Sequence, residues 1–202
     1  MVRIGVSVEG VTEERFIHKC LAPYFMSKGI LLIPISLNGN VSIDRIRGEL
    51  NKLFYNFDYV TTFYDFYGFK KKAEDETKTS LETRILKSVP KNSRGRLIPY
   101  IQMYEFEALL FSSPSHIATD LQQADLEQWA IDTLKTFNND PEKVNDSPHT
   151  APKKRFEAKY PQYREVIHSP LIACNIGIDT LRKNCAGFNE WLNQLERLSI
   201  SK

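Results

Sequence analysis

Four carboxylates carry most of the chemistry this sequence offers: Glu9, Asp65, Glu105 and Glu107. Glu9 follows the apolar run from Val2 to Val8, Asp65 ends the run that starts at Tyr59, and Glu105 and Glu107 follow the run from Leu97 to Gln102. If these runs are parallel strands, the residues just past them gather along one sheet edge, where open α/β proteins bind ligands. Carboxylates drawn together raise one another's pKa unless a cation lies between them. Mg²⁺ or Mn²⁺ suits such a group, because hard divalent ions take carboxylate oxygens and keep sites for water and substrate phosphate. A divalent metal held by Glu9, Asp65, Glu107 and Glu105 is therefore expected. Residues two apart on a helix point about 200° apart, so only one of the last two should face the ion, with Glu107 favoured.

Phosphate-binding cations are unevenly spread. Residues 1–68 carry no net charge, residues 69–101 carry +5, and residues 102–202 carry −3. The positive segment opens with Lys70, Lys71 and Lys72 and closes near Arg94 and Arg96, a grouping that would track a nucleic-acid backbone. Lys153, Lys154 and Arg155 follow Pro152 at an expected helix start, where a basic side chain would steady a phosphate or its transition state. Other features are plainer. Glu13 and Glu14 complement the amides of a helix start, and His18, His116, His149 and His168 show no zinc-binding spacing. No P-loop, dinucleotide fingerprint or nucleophile elbow is present.

The elements that must position these groups follow from hydrophobic period. Val2 to Val8 reads as a buried strand broken at Gly10; Thr12 reads as the N-cap of a helix carrying Phe16, Ile17, Leu21 and Phe25. Ile30 to Ile35 is a second strand, and Ser42 to Phe54 repeats apolar residues at helical intervals. Tyr59 to Tyr64 is a third strand by its β-branched and aromatic content, Leu81 to Val89 a helix stopped by Pro90, and Leu97 to Gln102 a fourth strand whose Pro99 belongs near an edge. Strands alternating with helices imply a mainly parallel sheet covered on both faces. Beyond it, Tyr104 to Phe111, Leu126 to Phe137, Pro152 to Tyr160, Pro170 to Ile176 and Asn189 to Leu198 read as helices, with one long polar loop from Asn138 to Pro152.

Composition bounds the class. The 202 residues are 42% hydrophobic, enough for a packed core, and the net charge of +2 names no partner. No apolar run nears the roughly 20 residues that span a bilayer, and the N-terminus lacks a signal-peptide layout, so a cytoplasmic protein without membrane contact is expected. The odd set Cys20, Cys174 and Cys185, without C-x-x-C spacing, argues against a disulfide framework or a cysteine-rich zinc site.

The blocks VSVEGVTEERFI, TTFYDFYGF, IPYIQMYEFEALLF, NDSPHTAPKKRFEAKYP and IGIDTLRKNCAGFNEWLNQLE together resemble the bacterial domain-of-unknown-function family 4276 over nearly the whole chain. That family is related to Toprim domains, the βα folds of topoisomerases, primases and OLD-family nucleases, and some members sit beside ATPase genes in phage-defence contexts. The resemblance implies metal-dependent phosphodiester chemistry. It also implies positions: Glu9 as the glutamate after the first strand, Asp65 as the first aspartate of a D-x-D, Glu107 as the glutamate of an F-E-x-x-L-like block, and Lys153 or Lys154 as the later basic residue. The second aspartate of D-x-D falls on Tyr67. Glu105 or Glu13 would then have to supply the missing oxygen.

The expected fold is thus α/β, a Toprim-like and mainly parallel four-stranded sheet flanked by helices over residues 1–112, with a helical extension over 113–202 packed on it as one structural unit. The expected function is a Mg²⁺- or Mn²⁺-dependent nuclease or related phosphoryl-transfer subunit acting on DNA or RNA, with an ATPase as a further partner. In it Glu9, Asp65 and Glu107 hold the metal, Lys153 or Lys154 offsets charge on the phosphate, and Lys70, Lys71, Lys72, Arg94, Arg96 and Arg155 contact nucleic acid. The alternatives are a non-catalytic interaction or nucleic-acid-binding module on the same shell, and hydrolysis of small phosphoesters.

Overall fold

The computed structural model describes residues 1–200. The chain divides into two compact units, one of Met1–Ile101 with the chain from Trp191 onward, the other of Gln102–Glu190. No helix among the described residues is long and apolar enough to cross a membrane.

The first unit is built on a mainly parallel sheet in the order β2-β1-β3-β4, with β5 also pairing β3. Its strands are β1 (Val2–Val8), β2 (Ile30–Ser36), β3 (Tyr59–Asp65), β4 (Leu97–Ile98) and β5 (Ile101–Gln102). β1 lies between two neighbours and is buried at Ile4, Val6 and Val8, whereas edge strand β2 is only half-covered along most of its length and accommodates Pro34. Val8 pairs with Ser36 on one side and Phe63 on the other, so these carboxyl ends finish nearly level. After β1 the chain runs through α1 (Val11–Phe16), a π-helical turn (Ile17–Leu21) and α2 (Ala22–Met26). The N-cap of α1 is Gly10, not the expected Thr12; Glu13 Oε2 accepts the Gly10 N–H at 2.9 Å and closes the helix start from within. α3 (Ile43–Leu53) and α4 (Lys78–Ser88) are the next crossovers. Cys20 is disulfide-bonded, which corrects the expectation drawn from the odd cysteine count.

The fourth strand is where local chemistry departs from a simple run. Pro99 cannot donate to a ladder, and the run is split into β4 and β5 around it. Thr62 mends the break: its hydroxyl donates to the Tyr100 carbonyl at 2.8 Å and accepts the Tyr100 N–H at 2.8 Å. Thr61 does related work, donating to the Ile98 carbonyl at 2.6 Å and accepting Trp191 Nε1–H at 2.8 Å. Trp191 stacks on Tyr100 with ring centroids 4.6 Å apart, so the returning chain seals the β4–β5 side of this unit.

The second unit is helical. It opens with a 3₁₀ helix (Phe106–Ser112), tighter than the α-helix expected at this point, then α5 (Pro114–Asp120), α6 (Asp125–Thr136), α7 (Pro152–Lys159), α8 (Glu165–Ile176) and α9 (Ile178–Asn184). α10 (Ala186–Ile200) belongs to this unit up to Glu190. Phe111, Trp129, Phe156 and Tyr163 form its aromatic core, with centroids 4.9–5.5 Å apart along the chain of contacts. α8 runs through Pro170 instead of starting there, forgoing one backbone hydrogen bond in its interior. Cys174 is disulfide-bonded, while Cys185 is a buried thiol beside Ser112 Oγ, 3.2 Å away.

Candidate functional site

Glu9 and Asp65 meet the expectation of placement: Glu9 directly follows β1, and Asp65 is the last residue of β3, the strand paired with it. A short 3₁₀ turn (Phe66–Gly68) then folds back over Glu9. A Cβ built on Gly68 would stand 2.0 Å from Glu9 Oε2, so a larger residue here would displace the Glu9 carboxylate from its present position against this backbone. The Glu9 carbonyl accepts the Gly39 N–H at 2.8 Å, from a loop whose Asn38, Gly39 and Asn40 all have left-handed φ. Arg45 fixes that loop by donating to the Leu37 and Gly39 carbonyls, each at 2.7 Å. A parallel bridge between Val41 and Phe69 joins the loops after β2 and β3. Beneath them the Tyr64 hydroxyl donates to Ser7 Oγ at 2.6 Å; burial, with the charges of Glu49 and Glu9, pushes this phenol above its ordinary pKa.

Tyr67, two residues past Asp65, has a defined job. Lys72 Nζ lies 4.0 Å from the Phe66 ring centroid and 4.6 Å from that of Tyr67, and donates to the Phe66 carbonyl at 2.8 Å. An ammonium group is thereby fixed on the turn that follows Asp65. Burial lowers its pKa, and Glu76 acts in the opposite sense. The other cations of the segment divide sharply. Lys70 and Lys71 are exposed. Arg94 donates to the Val89 and Lys87 carbonyls, and Arg96 to those of Asp58, Phe54 and Phe57. Both arginines are thus engaged in holding turns.

Glu105, Glu107, Lys153, Lys154 and Arg155 belong to the second unit. Glu105 Oε2 accepts the Lys153 N–H at 2.8 Å and so caps α7, whose own N-cap, Ala151, has no side chain for the purpose. Burial raises the Glu105 pKa. Glu107 is 1% exposed; its Oε1 accepts from Ser169 Oγ at 2.8 Å and from the Tyr163 hydroxyl at 3.2 Å. Burial above all, then the charges of Glu165 and Glu105, push this carboxyl up to about 8. Lys153 forms an ion pair with Glu165; burial would lower its pKa, but the Glu165 and Glu107 carboxylates outweigh it and raise it. Lys154 pairs with Glu157, and Arg155 pairs with Asp146 while stacking over Phe137.

Sequence reasoning missed Gly68, Lys72's perch on two rings, and the Tyr163–Ser169 partners of Glu107. The Y-G step after a strand was the one available signal, for Gly68. Among the described residues no group of three or more His, Cys, Asp or Glu side chains is assembled to hold a metal. The pair Glu9 and Asp65 still fits a hard ion, since Mg²⁺ commonly takes one or two carboxylates and completes its shell with water and phosphate. The Gly68 backbone leaves the Glu9 carboxylate the space a side chain would fill.

Comparison with curated proteins returned no match, and neither did comparison with solved structures. A family model does match, over residues 8–196, and the chain belongs to the family it describes, the domain of unknown function DUF4276.

Proposed function

We propose that this protein is a Toprim-like, Mg²⁺- or Mn²⁺-dependent nuclease or related phosphoryl-transfer subunit acting on DNA or RNA, with an ATPase subunit as its partner in phage defence. The observation that supports it most is the placement of Glu9 and Asp65 at the carboxyl ends of two adjacent parallel strands, with the Gly68 backbone against the Glu9 carboxylate. Glu9 and Asp65 would hold the ion. When bound, it supplies Lewis-acid polarisation of the scissile phosphate and a water acidified enough to attack it. The chain's own contribution is position and charge. The turn after β3 and the Arg45-braced loop orient Glu9, Lys72 places a fixed positive charge beside the edge, and Lys70 and Lys71 draw the phosphate backbone toward it. Lys153 and Lys154 belong to the second unit, where they pair with Glu165 and Glu157.

The test is cleavage of single- and double-stranded DNA and RNA with Mg²⁺ or Mn²⁺ by wild type, Glu9→Gln and Asp65→Asn. Each substitution is expected to abolish metal-dependent cleavage; equal activity in all three proteins removes the assignment. Tyr67 supports a second reading, a non-catalytic module, because the position that the resemblance gives to a second metal-binding aspartate carries instead an aromatic ring with Lys72 over it. Thermal unfolding with and without Mn²⁺ separates the two. An ion at 100 times its Kd adds about 2.7 kcal/mol to a protein that binds it only when folded, and a non-binding shell gains nothing.

A further inference from the structure

The opposite edge of the same sheet carries features that the metal site does not use. α3 ends in a turn whose shape is held from two sides: Arg96 donates to the carbonyls of Phe54, Phe57 and Asp58, and the Asp58 N–H donates to the Arg3 carbonyl at 3.0 Å. Beside this turn is an open cavity of about 460 Å³, lined by Arg3, Phe54, Tyr55, Phe57, Asp58 and Arg96 among others. Tyr55 is 90% exposed on the braced turn. The Arg3 guanidinium lies 5.6 Å over the Phe57 ring and makes no side-chain hydrogen bond among the described residues. Asp58 is turned to the Arg3 backbone, whose N–H it accepts at 2.8 Å.

An exposed, rigidly mounted aromatic beside an arginine is the combination by which proteins hold unpaired bases: every base offers a π-face, and the guanidinium meets the phosphate. A paired base is stacked within its duplex and offers neither face. The charge pattern connects this place with the metal edge. The segment after β3 leaves the carboxyl edge at Lys70 and returns through α4 to begin β4 beside Val60, near the amino end of β3. Lys70, Lys71, Lys87 and Lys91 are exposed along it. From Arg3 to Glu9 is six residues of strand, roughly 20 Å, the reach of a few nucleotides.

We propose that the cavity at the amino edge takes one unpaired nucleotide of a nucleic-acid strand, its base on the Tyr55 ring and its phosphate on the Arg3 guanidinium. This deepens the function proposed above and rests on it for the nature of the strand. The experiment is fluorescence-anisotropy titration in EDTA with a labelled single-stranded oligonucleotide and with its duplex, and NMR titration with AMP, on wild type, Tyr55→Ala, Tyr55→Phe and Arg3→Gln. Tyr55→Ala and Arg3→Gln are expected to weaken single-strand binding about fivefold or more, with Tyr55→Phe close to wild type and duplex affinity unchanged. Equal single-strand affinity in wild type and Tyr55→Ala overturns the proposal, as does a wild type that binds neither strand nor AMP. AMP binding as tightly as the oligonucleotide overturns the strand assignment and makes the ligand a free nucleotide. Because binding is read without metal, loss of cleavage in Glu9→Gln and loss of Tyr55-dependent binding are separate results.

Discussion

At the scale of single residues, Gly68 and Glu107 make opposite demands on a carboxylate. Gly68 leaves room for one: a methyl group here, 2.0 Å from Glu9 Oε2, must move either the carboxylate or the turn. Gly68→Ala is therefore expected to lower metal-dependent activity by about 10²-fold, the usual cost of misplacing a reacting group by an ångström. Circular dichroism should show the fold retained, and activity at the wild-type level would show that Glu9 has room to shift. Glu107 sits among Ser169, Tyr163, Glu105, Glu165 and Lys153, with a folded pKa of about 8 against an ordinary 4.5. A carboxyl whose pKa is raised on folding holds a proton that the unfolded chain has released. Its stabilising contribution is present below pH 4.5 and is lost as the pH rises through about 8. Stability should fall across that window by at most about 1.4 kcal/mol per pH unit. Denaturant titrations at several pH values on wild type and Glu107→Gln check this. The amide variant should show a flatter profile, and parallel profiles would place the titration elsewhere.

At the scale of elements, the strand and crossover pattern was legible because buried parallel strands leave short apolar runs and amphipathic helices leave a 3.6-residue period. The positions of Glu9 and Asp65 followed from the same pattern, since the ends of parallel strands share an edge. What was hidden depended on partners distant in the chain. Glu105 caps α7 from 48 residues away, and Glu107 is claimed by Ser169 across 62; no local spacing announces either bond. The split of the fourth strand was half legible, Pro99 being visible and its repair by Thr62 not. That repair gives an element-level prediction. Thr62→Val keeps shape but leaves the Tyr100 N–H and carbonyl without their hydroxyl partner in a buried site. It is expected to cost about 1–3 kcal/mol, seen as a lower urea midpoint with unchanged slope. A midpoint equal to wild type would mean that β4 and β5 hold to β3 without it.

At the scale of the whole molecule, a near-neutral total conceals local charge, and local charge in turn conceals how many cations are available. The +5 segment suggested a broad basic surface, yet Arg94 and Arg96 spend their donors on backbone carbonyls and Lys72 lies on two aromatic rings. Exposed Lys70 and Lys71 are then the leading candidates for phosphate contact beside Asp65. Salt dependence of binding counts such contacts, because each neutralised phosphate releases counterions and steepens the plot of log K against log salt by about 0.7 on single strands. The double variant Lys70→Ala/Lys71→Ala should therefore flatten the single-strand slope by about 1.4 while leaving thermal stability unchanged. Arg96→Gln should do the reverse, keeping the slope and losing stability as three carbonyls lose their donor. An unchanged slope in the lysine variant would move the phosphate path off this edge, and with it the route by which a strand would reach Glu9 and Asp65.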